Sequence, residues 1–242
     1  MSDIKIQMKN ISKVFETEDM ETHALKDVNL TISAGDYVSI SGPSGCGKST
    51  LLSLLGLLDI PSSGEYLIEG VNVENLSLDE AAEIRNSKIG FIFQSFNLID
   101  EISVFDNVAL PLRYSKTKLS VSEIKQRVDK CLEMVNMTHR SQHKPNQLSG
   151  GQQQRIAIAR ALVAEPAILL VDEATGNLDS NTGDQIMDVL DELNQNGTTI
   201  CMVTHESRYA DRATTQLKIL DGVILTSPET TKSQKYVEES LC

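Results

Sequence analysis

The chain has 242 residues, 40% of them hydrophobic, with four cysteines and a formal net charge of −12. That length and apolar content suffice for a sizeable core in one domain of two lobes, and the negative charge repels nucleic acid over most of the surface, so DNA and RNA are poor partners. Cys46, Cys131, Cys201 and Cys242 lack C-x-x-C spacing, which argues against zinc and disulfide frameworks. No apolar run is long enough to span a bilayer or to act as a signal segment, so a soluble protein kept in a reducing compartment is expected.

Ile4 to Met8 and Val28 to Ile32 alternate apolar and polar residues and predict two half-buried antiparallel strands. Between them, Phe15 is followed by an acidic stretch, Glu16 to Glu21, predicted as an exposed loop; taken alone, the aromatic reads as core. The apolar alternation of Tyr37 to Ile40 then leads into Gly42-Pro43-Ser44-Gly45-Cys46-Gly47-Lys48-Ser49-Thr50, which fits G-x-x-x-x-G-K-[ST]. Strand, glycine loop and helix (about Lys48 to Leu58) in that order aim backbone N–H groups and a helix N-terminus at one point, which suits phosphate. Lys48 is expected to reach the outer phosphates and the Ser49 hydroxyl to coordinate Mg²⁺. Thr50 suits a cap or a packing group as well as a ligand. Cys46, inside the loop, is expected to be open to alkylation.

Pro61 to Gly64 is a turn signal, Glu65 to Gly70 a short strand, and Leu78 to Asn86 a polar helix. Ile89 to Phe93 is an apolar run suited to a buried strand, ending at Gln94. From about Ser95 to Ala164 no strand signal appears, which predicts a helical insertion. Within it, Ser120 and Glu123 form a capping box before Ile124, Val128, Leu132 and Val135 at helical spacing. The apolar residues Phe96, Leu98, Ile99 and Val104 read as a docking cluster on a helical segment at Ser95 to Leu112, or as local core. Leu148-Ser149-Gly150-Gly151-Gln152 is a second glycine turn, opening a helix over about Gln152 to Ala164.

Ile168 to Val171 resumes the sheet and ends in Asp172-Glu173; Thr182 to Asn194 is an amphipathic helix; Thr199 to Val203 is a buried strand ending at Thr204-His205. Leu217 to Leu225 is a hairpin around Asp221-Gly222. The polar residues 228–242 are expected to form a frayed tail. In a parallel sheet the strand ends at Gln94, Asp172-Glu173 and His205 share an edge with the phosphate loop. An aspartate behind four aliphatics suits a Mg²⁺ anchor, and the adjacent glutamate suits a proton acceptor for attacking water.

The set Gly42 to Thr50, Gln94, Leu148 to Gln152, Ile168 to Glu173, Gly176 to Asp179 and His205, in this order, resembles the nucleotide-binding subunit of an ABC transporter over about Ile6 to Leu225. The resemblance implies an α/β fold: a P-loop NTPase core with a parallel sheet, an N-terminal antiparallel β subdomain and an inserted helical signature subdomain, with 1–227 as the ATPase domain and about 95–164 as its helical part. It implies ATP and Mg²⁺, with Phe15 stacking on adenine, Ser49 and Gln94 as Mg²⁺ ligands, and Asp172 holding the metal through water. Glu173 becomes the general base, and His205 contacts the γ-phosphate. Ser149, Gly150, Gly151 and Gln152 cap the nucleotide of a second copy, and Asp179 lies in the loop crossing that dimer.

The spellings from Gly90 to Leu98, Lys144 to Arg155 and Thr175 to Asp179 are similar to the macrolide-export and lipoprotein-release branch. That implies a subunit peripheral to the cytoplasmic side of the inner membrane, powering export or extraction through a separate permease, or else driving a mechanotransmission or cell-division complex that moves no substrate. Two positions depart from the family: Ala174 stands where proline is usual, and Phe15 where tyrosine is commoner.

Overall fold

The computed structural model describes residues 3–16 and 20–225. The predicted tail 228–242 lies outside them, as do residues 17–19 of the predicted Glu16 to Glu21 loop. The chain divides into two compact units, Met1–Asn75 with Thr199–Cys242 and Leu76–Thr198.

In the first unit, alternation becomes an antiparallel sheet. Strands β1 (Ile4–Glu16) and β2 (Glu21–Ser33) pair from Ile4 opposite Ser33 to Glu16 opposite Glu21, so both run further than their alternating cores predict. Ile6 and Met8 of β1 and Val28, Leu30 and Ile32 of β2 are buried at a period of two, as when one face is covered, and Ile11 and Leu25 are buried beyond the left-handed Asn10 and Asp27, where the step lengthens to three.

Strand β3 (Tyr37–Ser41) is buried at every residue from Tyr37 to Ile40, so its pattern is not the alternation of a half-covered strand. The reason is its place: β3 pairs in parallel with β8 (Ile200–Val203) on one edge and β9 (Thr215–Leu220) on the other, and parallel strands are covered on both faces. Its buried serine, Ser39, is satisfied by donating its hydroxyl to the Ala210 carbonyl at 3.1 Å. A short helix, α7 (Ser207–Ala210), which the sequence pattern does not signal, follows β8, and β10 (Val223–Ile224) closes the hairpin with β9.

Helix α1 (Lys48–Leu55) ends three residues before the predicted Leu58, because Gly56 caps it and Leu57 turns left-handed at φ 52°. Strand β4 (Ser63–Ile68) turns at Glu69-Gly70, both at positive φ, into β5 (Val71–Asn72), the backbone signature of a tight hairpin. The buried Tyr66 hydroxyl donates to the Leu55 carbonyl at 2.7 Å and so ties β4 to the end of α1.

The second unit holds α2 (Leu78–Lys88), β6 (Ile89–Ile92), three helices α3 (Val104–Arg113), α4 (Val121–Met134) and α5 (Gly150–Leu162), strand β7 (Ile168–Asp172) and α6 (Ser180–Gln195). β6 and β7 pair in parallel, Ile92 opposite Val171. No strand lies between them among the described residues. Helix α4 begins at the expected capping box, Ser120 accepting from the Glu123 N–H and Glu123 accepting from the Ser120 N–H. Residues Ile156 to Ala159 of α5 are fully buried, so this helix is the axis of the unit rather than an amphipathic cover.

Residues Ser95 to Ser103, read from sequence as part of a helical segment, are a loop. Phe96 and Asn97 sit at φ 53° and 52°, which no helix accommodates, and α3 starts only where the Ser103 hydroxyl accepts the Asp106 N–H. Asn107 holds this loop from beneath. Fully buried, it accepts the Ile99 N–H at 2.7 Å and donates to the Ile99 and Ser103 carbonyls, both at 3.0 Å. Asn107→Ala removes all three bonds and leaves backbone groups poorly solvated, at a cost of about 2 kcal/mol. A fall in Tm of roughly 4–8 °C in calorimetry is expected; an unchanged Tm would mean that water replaces the side chain.

Candidate functional site

The phosphate loop is shaped by backbones that press on it. Gly42, Gly45 and Gly47 all have positive φ. A Cβ on Gly42 would stand 2.2 Å from the Ile219 carbonyl oxygen, and one on Gly47 would stand 2.5 Å from that of Ala24. The loop is therefore wedged between β9 and β2, and only glycine fits at these two points. Gly45 meets nothing within 4 Å, so the loop opens on that side. The turn of the β9–β10 hairpin straps the wedge: the Gly222 N–H donates to the Cys46 carbonyl at 3.0 Å, and the Lys26 N–H to the Gly222 carbonyl at 2.9 Å.

Helix α1 makes its first internal bond from the Leu51 N–H to the Gly47 carbonyl, so the amides of Lys48, Ser49 and Thr50 have no intrahelical acceptor. The Lys48 ammonium lies back across the loop, donating to the carbonyls of Gly42 at 2.8 Å and Pro43 at 2.7 Å. Ser49 is exposed at the start of the helix, with Ser44 exposed in the loop. Cys46 departs from expectation: its side chain is only 5% exposed and packs under Gly42, so it is not presented to an alkylating reagent.

Parallel pairing sets Ile40 of β3 opposite Val203 of β8, and the Thr204 N–H extends the ladder to the Ile40 carbonyl at 3.2 Å. His205 thus leaves the sheet at the edge from which the phosphate loop departs, and it is exposed. Phe15, near the end of β1 and paired with Thr22, is 44% exposed and so is no core aromatic.

Within Leu76–Thr198 the register of β6 and β7 does the corresponding work. With Ile92 opposite Val171, Gln94 and Glu173 each lie two residues further on, level with one another at the strand ends. Asp172 is half-buried, and burial, then the neighbouring Glu173 charge, pushes its carboxyl above the usual range. Glu173 itself sits at φ 46°, a left-handed strain that persists only where the surroundings impose it. Its carbonyl accepts the Gly176 N–H at 2.9 Å, and Ala174 and Thr175 are buried beneath the turn.

Gln94 is held by residues to which the sequence reading gave no separate role. Its amide donates to the Asn177 side chain at 3.4 Å, Asn177 donates back to the Gln94 carbonyl at 3.0 Å, and a Cβ on Gly176 would stand 2.5 Å from the Gln94 amide nitrogen. Two further groups, both on α5, went unread. The Arg160 guanidinium donates to the Phe96 carbonyl at 2.8 Å and to that of Asn97, and burial lowers its pKa. Gln154, fully buried, donates to the Phe93 carbonyl at 3.4 Å. Both fall on the helix expected from Gln152 to Ala164, but a polar residue on a helix says nothing about which loop it grips.

The signature turn is a capping box. Ser149, exposed, accepts the Gln152 N–H at 3.4 Å, and Gln152 accepts the Ser149 N–H at 3.1 Å. A Cβ on Gly151 would stand 2.3 Å from the Thr182 methyl, and one on Gly150 would stand 3.1 Å from Leu178. Asp179 caps α6, accepting the Thr182 N–H at 3.0 Å and its hydroxyl at 2.6 Å, bonds that hold its carboxyl below the usual range. Gln94, the 176–179 turn and the signature turn are thus one contiguous set. Of the apolar cluster, Val104 is fully buried and is core, Phe96 is half-buried against Gly150, and Ile99 is exposed.

Residues 25–176 match the family model described as ABC transporter. The chain is 44% identical over 243 residues to a macrolide export ATP-binding/permease protein MacB of Bdellovibrio bacteriovorus, covering 97% of this chain but 37% of that protein, so it spans about a third of the length of such relatives. It is 46% identical to an uncharacterized ABC transporter ATP-binding protein, MJ0796, of Methanocaldococcus jannaschii, over 90% of this chain and 94% of that one. A dimeric, post-hydrolysis structure of the ATP-binding cassette MJ0796 bound to ADP and Pi superposes with a TM-score of 0.82 at 44% identity, covering 91% of this chain and 97% of that chain. With its phosphate loop, its signature turn and a family match across most of its length, the chain belongs to the ABC transporter family, as an ATP-binding cassette.

Proposed function

We propose that the chain binds and hydrolyses ATP to power a separate membrane permease, in the direction of export or extraction. The observation that carries this reading is the cradle at Gly42 to Thr50, closed by the carbonyls of Ile219 and Ala24 and open at Gly45, with a lysine ammonium across it. Backbone amides, a helix N-terminus and one mobile cation are what a polyphosphate requires. Lys48 exchanges its carbonyl partners for the outer phosphate oxygens, and Phe15 stacks on adenine.

The donors assigned to Mg²⁺, the Ser49 hydroxyl, the Gln94 amide oxygen and the Asp172 carboxylate through water, are all oxygens, the ligand type this ion takes. The penalty that burial and Glu173 place on the Asp172 charge is one that a cation relieves. Among the described residues no three His, Cys, Asp or Glu side chains converge on a metal, so phosphate and water supply most of the ligands. When bound, the ion neutralises charge on the phosphates. EDTA is expected to abolish hydrolysis while ADP still protects the cassette against heating; hydrolysis that survives chelation would remove Mg²⁺ from the scheme.

Glu173 accepts the proton of water attacking the γ-phosphate in line, and His205 contacts the same phosphate. Ser149 to Gln152 of a second copy cap the nucleotide with the N-terminus of α5, so turnover requires an ATP-bound homodimer. The net charge of −12 per copy opposes that dimer. Glu173→Gln keeps the shape and loses the base: turnover should fall by at least about 100-fold. Sizing chromatography should then show a dimer only with ATP, weaker at low salt and lost on adding Ser149→Arg. Wild-type turnover would remove Glu173 as the base, and an inactive variant that stays monomeric with ATP bound would remove the trans role of Ser149.

No helix among the described residues is long and apolar enough to cross a membrane, and the cassette is taken to sit on the cytoplasmic face, held by its permease. The contact surface follows Gln94. A groove beside the Gln94 loop is lined by Glu83, Phe91, Phe93, Asn97, Tyr114 and Lys116, with the Phe91 and Phe93 ring centres 5.0 Å apart and Tyr114 exposed; Ile99, on the same loop but outside the groove, is exposed as well. An apolar floor with a charged rim suits an amphipathic segment. Tyr114→Asp and Ile99→Asp should cut permease stimulation of the ATPase about tenfold or more while the isolated cassette still binds ATP; stimulation at the wild-type level would move the contact elsewhere.

A further inference from the structure

Phe15 does not stand alone on its strand. Lys13, two residues earlier and so on the same face of β1, places its ammonium 5.0 Å from the centre of the Phe15 ring. That ammonium is tethered: it donates to the Asp59 carboxylate at 2.7 Å and to the Ile60 carbonyl at 2.8 Å, and the Lys13 side chain is 12% exposed. The stretch that supplies these acceptors is itself sewn to β1, with the Val14 N–H donating to the Ser62 hydroxyl at 3.0 Å and the Ser62 N–H to the Ser12 carbonyl at 2.8 Å. Two of the three ammonium donors are spent on fixed acceptors, and the remaining charge faces the ring.

From this geometry we infer that Lys13, braced by Asp59, is a positioning residue for the nucleobase. It holds one face of Phe15 through a cation–π contact and leaves the rest of the ring, 44% exposed, as a flat platform of fixed orientation. The tether suits this role better than a role as a phosphate ligand, because a lysine already held by a carboxylate and a carbonyl has little charge to offer a second anion. The cation also draws π density toward itself, which strengthens stacking of an electron-rich purine on the opposite face. Phe15 offers no hydroxyl, so the platform recognises the base as a flat aromatic and not by its hydrogen-bonding edge. This inference rests on the reading that Phe15 stacks on the base.

The test compares ligands with and without a base. Binding of Mg-ADP and of Mg-pyrophosphate to the full chain is measured by calorimetry for wild type, Lys13→Met, Asp59→Asn, Phe15→Ala and the double variant Lys13→Met/Phe15→Ala. Lys13→Met keeps the aliphatic stem against the strand and removes the charge; it should weaken ADP about two- to fivefold and leave pyrophosphate unchanged. Asp59→Asn, which loosens the tether and keeps the cation, should move ADP in the same direction by less. Phe15→Ala should weaken ADP about tenfold, and Lys13→Met should add nothing to it, because Lys13 acts through the ring. A loss of ADP and pyrophosphate binding in equal proportion, or a Lys13→Met effect that persists in the Phe15→Ala background, would make Lys13 a brace of the strand only and overturn the inference. If Phe15→Ala itself leaves the ADP-to-pyrophosphate ratio unchanged, the stacking reading fails, and the role of Lys13 falls with it.

Discussion

The constraint on which the first unit depends is the approach of two backbones to the phosphate loop. The carbonyls of Ile219 and Ala24 occupy the space that side chains at positions 42 and 47 would need. That crowding fixes the loop from outside, so its curvature does not have to be held by its own weak internal bonds, of which the Cys46 N–H to Pro43 carbonyl contact at 3.4 Å is an example. It also explains why β9 and β10 matter to a loop far away in sequence. Gly222 sits at φ 80°, close against Ala24 and Leu25, and its two backbone bonds join β2, the hairpin turn and the loop into one frame. A cradle built this way is preformed, and its ligand need not supply the ordering free energy.

The second unit solves a different problem, since its functional backbone is strained. Phe96, Asn97 and Glu173 all have left-handed φ without being glycine, at about 1 kcal/mol or more each. Each is over-determined by bonds from outside its own segment or from the turn that follows: Arg160 on the carbonyls of 96 and 97, and the Gly176 N–H on that of 173. Asn177 and Gln94 exchange bonds across the same edge. Small residues at 150, 151 and 176 then allow the Gln94 loop, the signature turn and the start of α6 to touch, so displacement of any one of the three must strain the others.

Much of this was legible because it depends on spacing along the chain. The glycine loop, the capping box at Ser120, the helix opened by the second glycine turn, and the runs at Ile89 and Ile168 have local physical causes, and each has its expected structure. What was illegible depends on partners distant in sequence. The burial of all of Tyr37 to Ile40 follows from strands around 200 and 217, and the inward turn of Cys46 from packing beneath Gly42. The helix read into Ser95 to Ser103 failed because periodicity reports apolar faces and is blind to left-handed residues. Asn107, Gln154 and Arg160 read as ordinary helix polars, yet all three are spent on loop carbonyls. Lys13, beyond the predicted strand, drew no reading, since nothing near it in sequence announces Asp59.

The position of Lys48 links the preformed cradle to its chemistry. Its ammonium makes two bonds to neutral carbonyls of the very loop it serves, so the cation is solvated by its own cradle and held a short rotation from the opening at Gly45. A phosphate oxygen is a stronger acceptor than a carbonyl, since both form charge-assisted bonds with an ammonium but only the phosphate adds the attraction of opposite charges. On the proposed function, exchange of carbonyl for phosphate gains that attraction without any rebuilding of the backbone. The two carbonyls it leaves belong to Gly42 and Pro43 at the start of the loop, where the exposed Pro43 keeps access to water. On the proposed function, a lysine positioned in this way has a satisfied arrangement on both sides of the exchange, and neither requires the glycine loop to unfold.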